Sequence, residues 1–175
     1  MPKTSINSFV LLQRDCLLRL GKPIGSVTFW TYMVWGVMGF GGLAIWIEVV
    51  KHCWIGSSDS LTTDGIRLAV LTYFPAVGCA AGQQISIVEK DRKYMRSFGI
   101  TASFGFMTLC IISFLLQIKH PNWSLFLGIV CSIAAVLTFW IAIGLDESFH
   151  DTDPDAAVGG TTDIALKGET GDFSV

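Results

Sequence analysis

Asp151, Asp153 and Asp155 alternate along the chain, and carboxylates at that spacing open a calcium-binding loop. The rest of such a loop is missing. Ala156 stands where the turn needs Gly, and Thr162 where a bidentate Glu closes the shell. What remains is a solvated acidic segment, or one that docks on a basic surface. His52, His120 and His150 form no readable Ser-His-Asp set, and no H-E-x-x-H pattern is present. The five cysteines, at 16, 53, 79, 110 and 131, include no C-x-x-C pair. The chain therefore presents no catalytic residue, no metal ligand set and no cofactor motif, and it is expected to be non-enzymatic.

Other polar or small residues lie where charge is absent. Gln83 and Gln84 are amides in an apolar run, so they should face other helices or water. They read as pore lining or interhelical glue in an oligomer, or as residues that snorkel to the interface. Gly78 and Gly82 make G-x-x-x-G with Ala81 beside them, a spacing that lets two helices approach closely, within one chain or between copies. Pro75 precedes them and removes one helical hydrogen bond. Gly36, Gly39, Gly41 and Gly42 fall in another apolar run and point to close packing or local flexibility. Glu48, near Lys51 and His52, is the only carboxylate associated with such a run. No Asp, Glu, Lys, Arg or His sits at the centre of one, which argues against an ion-coupled transporter.

The elements that must position these residues are four stretches without Asp, Glu, Lys or Arg: 23–47, 68–88, 97–118 and 120–145. About 20 apolar residues in a helix cross a bilayer core. Charged residues make up 15% of the 175-residue chain, against about 25% in soluble domains. The expected fold is an all-α polytopic membrane protein. Four transmembrane helices, about 27–50, 66–88, 98–118 and 124–145, form an up-down-up-down bundle within a domain of residues 23–145. Residues 1–22 form a cytoplasmic amphipathic segment, helical over 5–20 with Phe9, Leu12, Cys16 and Leu20 on one line. Its basic residues suit an anionic lipid surface.

Lys and Arg concentrate on cytoplasmic loops. Residues 1–27 carry Lys3, Arg14, Arg19 and Lys22, and the second connection carries Lys90, Arg92, Lys93 and Arg96. The first connection has only Lys51 and Arg67, and the third only Lys119. Both termini are therefore expected in the cytoplasm. Trp30, Trp46, Trp54, Trp123 and Trp140 sit near span ends, as interface anchors do. The segment 146–175 holds eight acidic residues and one Lys and is expected to be an acidic cytoplasmic tail. Asp146, Glu147, Asp151, Asp153 and Asp155, with Lys90, Arg92, Lys93 and Arg96, are the candidate contacts for a cytoplasmic protein.

This plan of four uncharged runs, a basic loop Lys90-Asp91-Arg92-Lys93 and a tail from Asp146 resembles the small membrane subunit of the Kiwa anti-phage defence system. The resemblance implies a homo-oligomeric subunit in the bacterial inner membrane. Such a subunit senses membrane perturbation and binds a cytoplasmic partner, without itself contacting nucleic acid. The chain is also similar in size and plan to four-span immunity proteins against pore-forming bacteriocins. Without a family in view, a small stimulus-gated channel is the rival reading, because apolar constrictions can gate without charge.

Overall fold

The computed structural model describes residues 8–55, 60–144 and 146, and every described regular element is helical. Helix α1 spans Ser8–Gly21. A single 3₁₀ turn, Lys22–Gly25, follows, with Pro23 buried in it. Ser26 then caps α2 (Val27–Thr31), its Oγ accepting the Phe29 N–H at 3.3 Å. A π-helical stretch, Tyr32–Phe40, continues the same rod. Next come α3 (Leu43–Ile55), α4 (Ser60–Val88), α5 (Lys93–Lys119) and α6 (Pro121–Ile143). The tail beyond Asp146, with Glu147, Asp151, Asp153 and Asp155, lies outside the described residues.

Three segments are long and apolar enough to cross a membrane: Thr63–Val88, Lys93–Lys119 and Pro121–Ile143. At 23 residues α6 measures roughly 35 Å, enough for a hydrocarbon core of about 30 Å. The expected first span over 27–50 is not one straight helix. Val27–Phe40 and Leu43–Trp54 meet at 61°, and only together are they long and apolar enough to cross. The cause lies in the backbone. Gly41 N–H bonds Gly36 O at 2.9 Å, an i→i+5 link. A Cβ on Gly41 would fall 2.3 Å from Val37 O, and one on Gly42 2.4 Å from Met38 O. Only glycine permits this close a return of the chain, and π segments with adjacent glycines are where helices bend.

Helix α4 is central and continues through Pro75; α5 and α6 pack along most of it, and α3 along a shorter stretch. Two apolar clusters fill the interior. One joins Phe29, Met33 and Val37 to Ala81 and Ile85 of α4, Met95 of α5 and Ile143 of α6. The other holds Leu71, Phe74, Phe106, Cys131 and Ala135, from α4, α5 and α6 alone. The first limb of the bent pair thus belongs to the core at the end where α1 lies. The second limb buries no described side chain fully. It reaches the far end, where Gly65 backs so closely on Glu48 that a Cβ would lie 2.3 Å from Oε2.

The glycine pair of α4 packs inside the chain. A Cβ on Gly78 would lie 2.4 Å from the Phe106 ring. Gly82 and Gly99 meet at the α4–α5 crossing, where a Cβ on either would lie 2.5 Å from the other's carbonyl oxygen. Ser103 Oγ donates across this crossing to Cys79 O at 3.3 Å. Small residues and hydroxyls are what joins helices where lipid supplies no hydrophobic drive.

Candidate functional site

Asp15 and Arg19 are four residues apart on α1, hence on one face. Glu89 and Arg92 are three apart in the turn between α4 and α5. That turn is closed by Glu89 N–H to Ile85 O at 3.0 Å and Arg92 N–H to Glu89 O at 3.3 Å. The two pairs cross-match. Arg19 Nη2 bonds Glu89 Oε1, and Arg92 Nη1 bonds Asp15 Oδ2 at 2.9 Å. Tyr94 OH donates to the same Asp15 oxygen at 2.6 Å, and Arg92 Nε lies 3.7 Å from Glu89 Oε2. Arg19 also donates from Nη1 to Ile141 O at 3.3 Å, on the last turn of α6. Behind it Gly144 presses on the α1 backbone, since a Cβ there would be 2.3 Å from Arg19 O. Sliding α1 by one turn would set Arg19 against Arg92, so charge fixes its register.

This latch joins three parts of the chain. The Arg19 side chain is 2% exposed and that of Glu89 14%, so the pair is desolvated. Breaking such a pair leaves one charge buried and costs about 3–5 kcal/mol. Arg19 Nε has no hydrogen-bond partner, although a buried donor left so costs about 1–3 kcal/mol. Arg92 is 48% exposed. Burial pulls its pKa down, but Glu89 and Asp15 outweigh that and carry it above the usual guanidinium value. Cys16, beside the latch, has its thiol pushed up by burial; Arg19 lowers it and Asp15 raises it, with a net rise.

Leu12 of the expected apolar line on α1 packs against the core, and Cys16 and Leu20 are half-buried. Arg19, expected to face anionic lipid, turns inward instead, because Glu89 and the Ile141 carbonyl outbid water for its five donors. Phe9 is 70% exposed. Lys90, Lys93 and Arg96 are exposed, whereas Arg92, expected as a partner contact, is engaged within the chain. Asp146 is exposed at the same end, its N–H on Ile143 O at 3.0 Å.

The bent pair carries the second polar arrangement. Backbone groups freed inside a membrane must find partners. Trp46 Nε1 donates to Met38 O at 2.9 Å, and Tyr73 OH to Val37 O at 3.2 Å. Between the bend and α4 lies an open groove of about 460 Å³, bordered by Tyr32, Gly36, Gly41, Thr72, Tyr73 and Ala76. Gln83 lies on the outer surface of the α4–α5 pair, and Gln84 is half-buried. Beside them Ala81 and Ile85 fill the interior at 0% and 1% exposure. The amides therefore line no lumen within one chain.

Of the aromatic anchors, Trp54 and Trp123 are the most exposed, at 86% and 66%. Trp30 sends its indole N–H to Ile24 O at 2.9 Å. Trp140 departs from the expectation. It sits 5.0 Å from the Phe29 ring and 5.2 Å from that of Trp30, and its Nε1 is buried without a partner. An interface anchor keeps that N–H wet; the bent pair's aromatic residues cover it instead. Among the described residues no group of three His, Cys, Asp or Glu side chains could hold a metal ion. Comparison with known proteins yields no matching family model, no matching curated protein and no matching solved structure.

Proposed function

We propose that this chain is a non-enzymatic, four-span subunit of a membrane complex, with both ends on the cytoplasmic side. In this reading it forms a homo-oligomer in a bacterial inner membrane. It links the state of that membrane to a cytoplasmic protein, as in the Kiwa-type defence system whose plan it resembles. The observation that carries the reading is the latch. An amphipathic helix at the expected lipid surface is tied by charge to the α4–α5 turn and to the end of α6, so a pull on α1 is felt where the acidic tail begins. The four-span reading takes the bent pair as one crossing, which its reach from the α1 end to Gly65 supports, and the basic residues gathered at the α1 end favour the cytoplasm for it.

Purification from the native host in mild detergent tests this. The expected result is a homo-oligomer carrying a stoichiometric cytoplasmic protein, lost on deletion of 146–175. Unchanged co-purification after that deletion removes the docking role. Membrane-impermeant thiol reagents test the orientation. Cys53, on the far side, should react in intact cells, and Cys16 only after lysis.

A second reading, a stimulus-gated channel, is favoured by the bend and its hydroxyl-bordered groove, since discontinuous helices mark permeation and binding sites in membranes. Reconstituted bilayers that stay silent under tension and voltage, for the native chain and for Gly42→Ala alike, would remove it.

A further inference from the structure

The latch consumes two of the cations at its end of the bundle and leaves the others facing solvent. Arg19 and Arg92 are matched by Glu89 and Asp15. Arg14 lies midway along α1, Lys22 follows its end, Lys90 lies in the turn, and Lys93 and Arg96 lie on the first turn of α5. All five are exposed, and Asp91 is the one carboxylate exposed among them in the turn. The patch is strongly positive after its internal pairing is complete. The chain leaves α6 at this same end, with Gly144 against Arg19 and Asp146 exposed. Residues 147–175 carry seven carboxylates and a single Lys167.

We infer that the occupant of this cationic patch is the chain's own acidic segment 147–175, docked in cis on Lys90, Lys93 and Arg96. Three arguments select it. Its charge complements the patch. It starts at the edge of the patch, and the nine residues from Glu147 to Asp155 reach up to about 30 Å when extended. Tethering sets its local concentration on the millimolar scale, above that of a free partner. The inference deepens the proposed function and rests on that reading, in which the acidic segment meets a cytoplasmic partner. A cytoplasmic protein with a basic surface would have to draw the segment away, so docking in cis sets a threshold for partner binding.

Zero-length carbodiimide coupling, which joins lysine amines to carboxylates in direct contact, tests this on the full chain in detergent. An equal mixture of ¹⁴N and ¹⁵N chains separates links within a chain from links between chains. The expected result is single-isotope peptides joining Lys90 or Lys93 to the acidic segment. Their yield should fall by about five-fold or more in 1 M NaCl, where the Debye length is roughly 3 Å. It should fall as far in the triple variant Asp151→Asn, Asp153→Asn, Asp155→Asn, which leaves every described residue intact. Absence of these links overturns the inference, as do mixed-isotope links alone. Links abolished in phosphatidylglycerol nanodiscs but kept in phosphatidylcholine assign the patch to lipid headgroups and also overturn it. Links without a co-purifying protein sink the proposed function alone. A co-purifying protein without links sinks this inference alone.

Discussion

Charge is used differently at the two ends of this bundle. At the far end the ion pairs are local: Lys51 with Glu48 at 2.7 Å, and Arg67 with Asp64, each three residues apart on one helix. At the latch end the hydrogen-bonded pairs reach across the chain, from Arg19 to Glu89 and from Asp15 to Arg92 and Tyr94, over separations of 70 to 79 residues, beside one looser local contact of Arg92 with Glu89 at 3.7 Å. A local pair tells a helix little that it does not already know. A long-range, desolvated pair fixes tertiary structure, because the penalty for missing its partner is large. The core follows the same division. The latch end packs four segments around Phe29, Ile85 and Ile143, whereas deeper in the bundle α4, α5 and α6 close on themselves and α3 leans away.

The sharpest way to break the contrast is Glu89→Ala. It strands Arg19 in a site where the side chain is 2% exposed, and the expected loss is about 3–5 kcal/mol at the latch end. Limited proteolysis should then release α1 while α4–α6 stay protected. Gly82→Val should cost about 1–3 kcal/mol through overpacking against Gly99 and Ser103, read as a lower midpoint of thermal unfolding in detergent. Asp15→Asn should cost under about 1 kcal/mol, because its Arg92 partner is 48% exposed and screened. Lys51→Ala at the far end should change the midpoint least, by at most about 0.5 kcal/mol.

Cys16 reports on the difference between the two ends without a mutation. Burial holds its thiol above the ordinary value of 9.0, whereas Cys53 at the far end is exposed. A raised thiol pKa means the folded state favours the protonated form. That contribution is complete below pH 9 and is lost as pH climbs through the folded value. At pH 8, alkylation of the half-buried Cys16 should therefore lag that of the exposed Cys53, and equal rates would show that α1 is not held against the bundle.

The helices were legible from charge alone. The runs 68–88, 97–118 and 120–145 sit inside α4, α5 and α6 apart from residues at their edges, since a charge-free stretch of that length has few other folds. The bend was not. Gly36, Gly39, Gly41 and Gly42 were visible as a cluster, but hydropathy carries no information about i→i+5 bonding. The acceptor roles of Met38 and Val37 depend on Trp46 and on Tyr73 from another helix. The latch was half-legible. Asp15-x-x-x-Arg19 and Glu89-x-x-Arg92 are complementary patterns, yet only the fold shows that they face each other. A count of basic residues carries no information on pairing: Arg19 is buried against Glu89, and Arg92, although exposed, is engaged by Asp15.

The Arg19–Glu89 pair holds α1 to the bundle, and hydrogen–deuterium exchange over residues 10–20 reads that hold. The native chain, Arg19→Gln, Glu89→Gln and the double variant should be compared in one detergent. Exchange should be slow in the native chain, at least about ten-fold faster in each single variant, and no faster again in the double variant, because both substitutions act on one interaction. Fast exchange in the native chain, or single variants indistinguishable from it, would mean that α1 is not held by this pair.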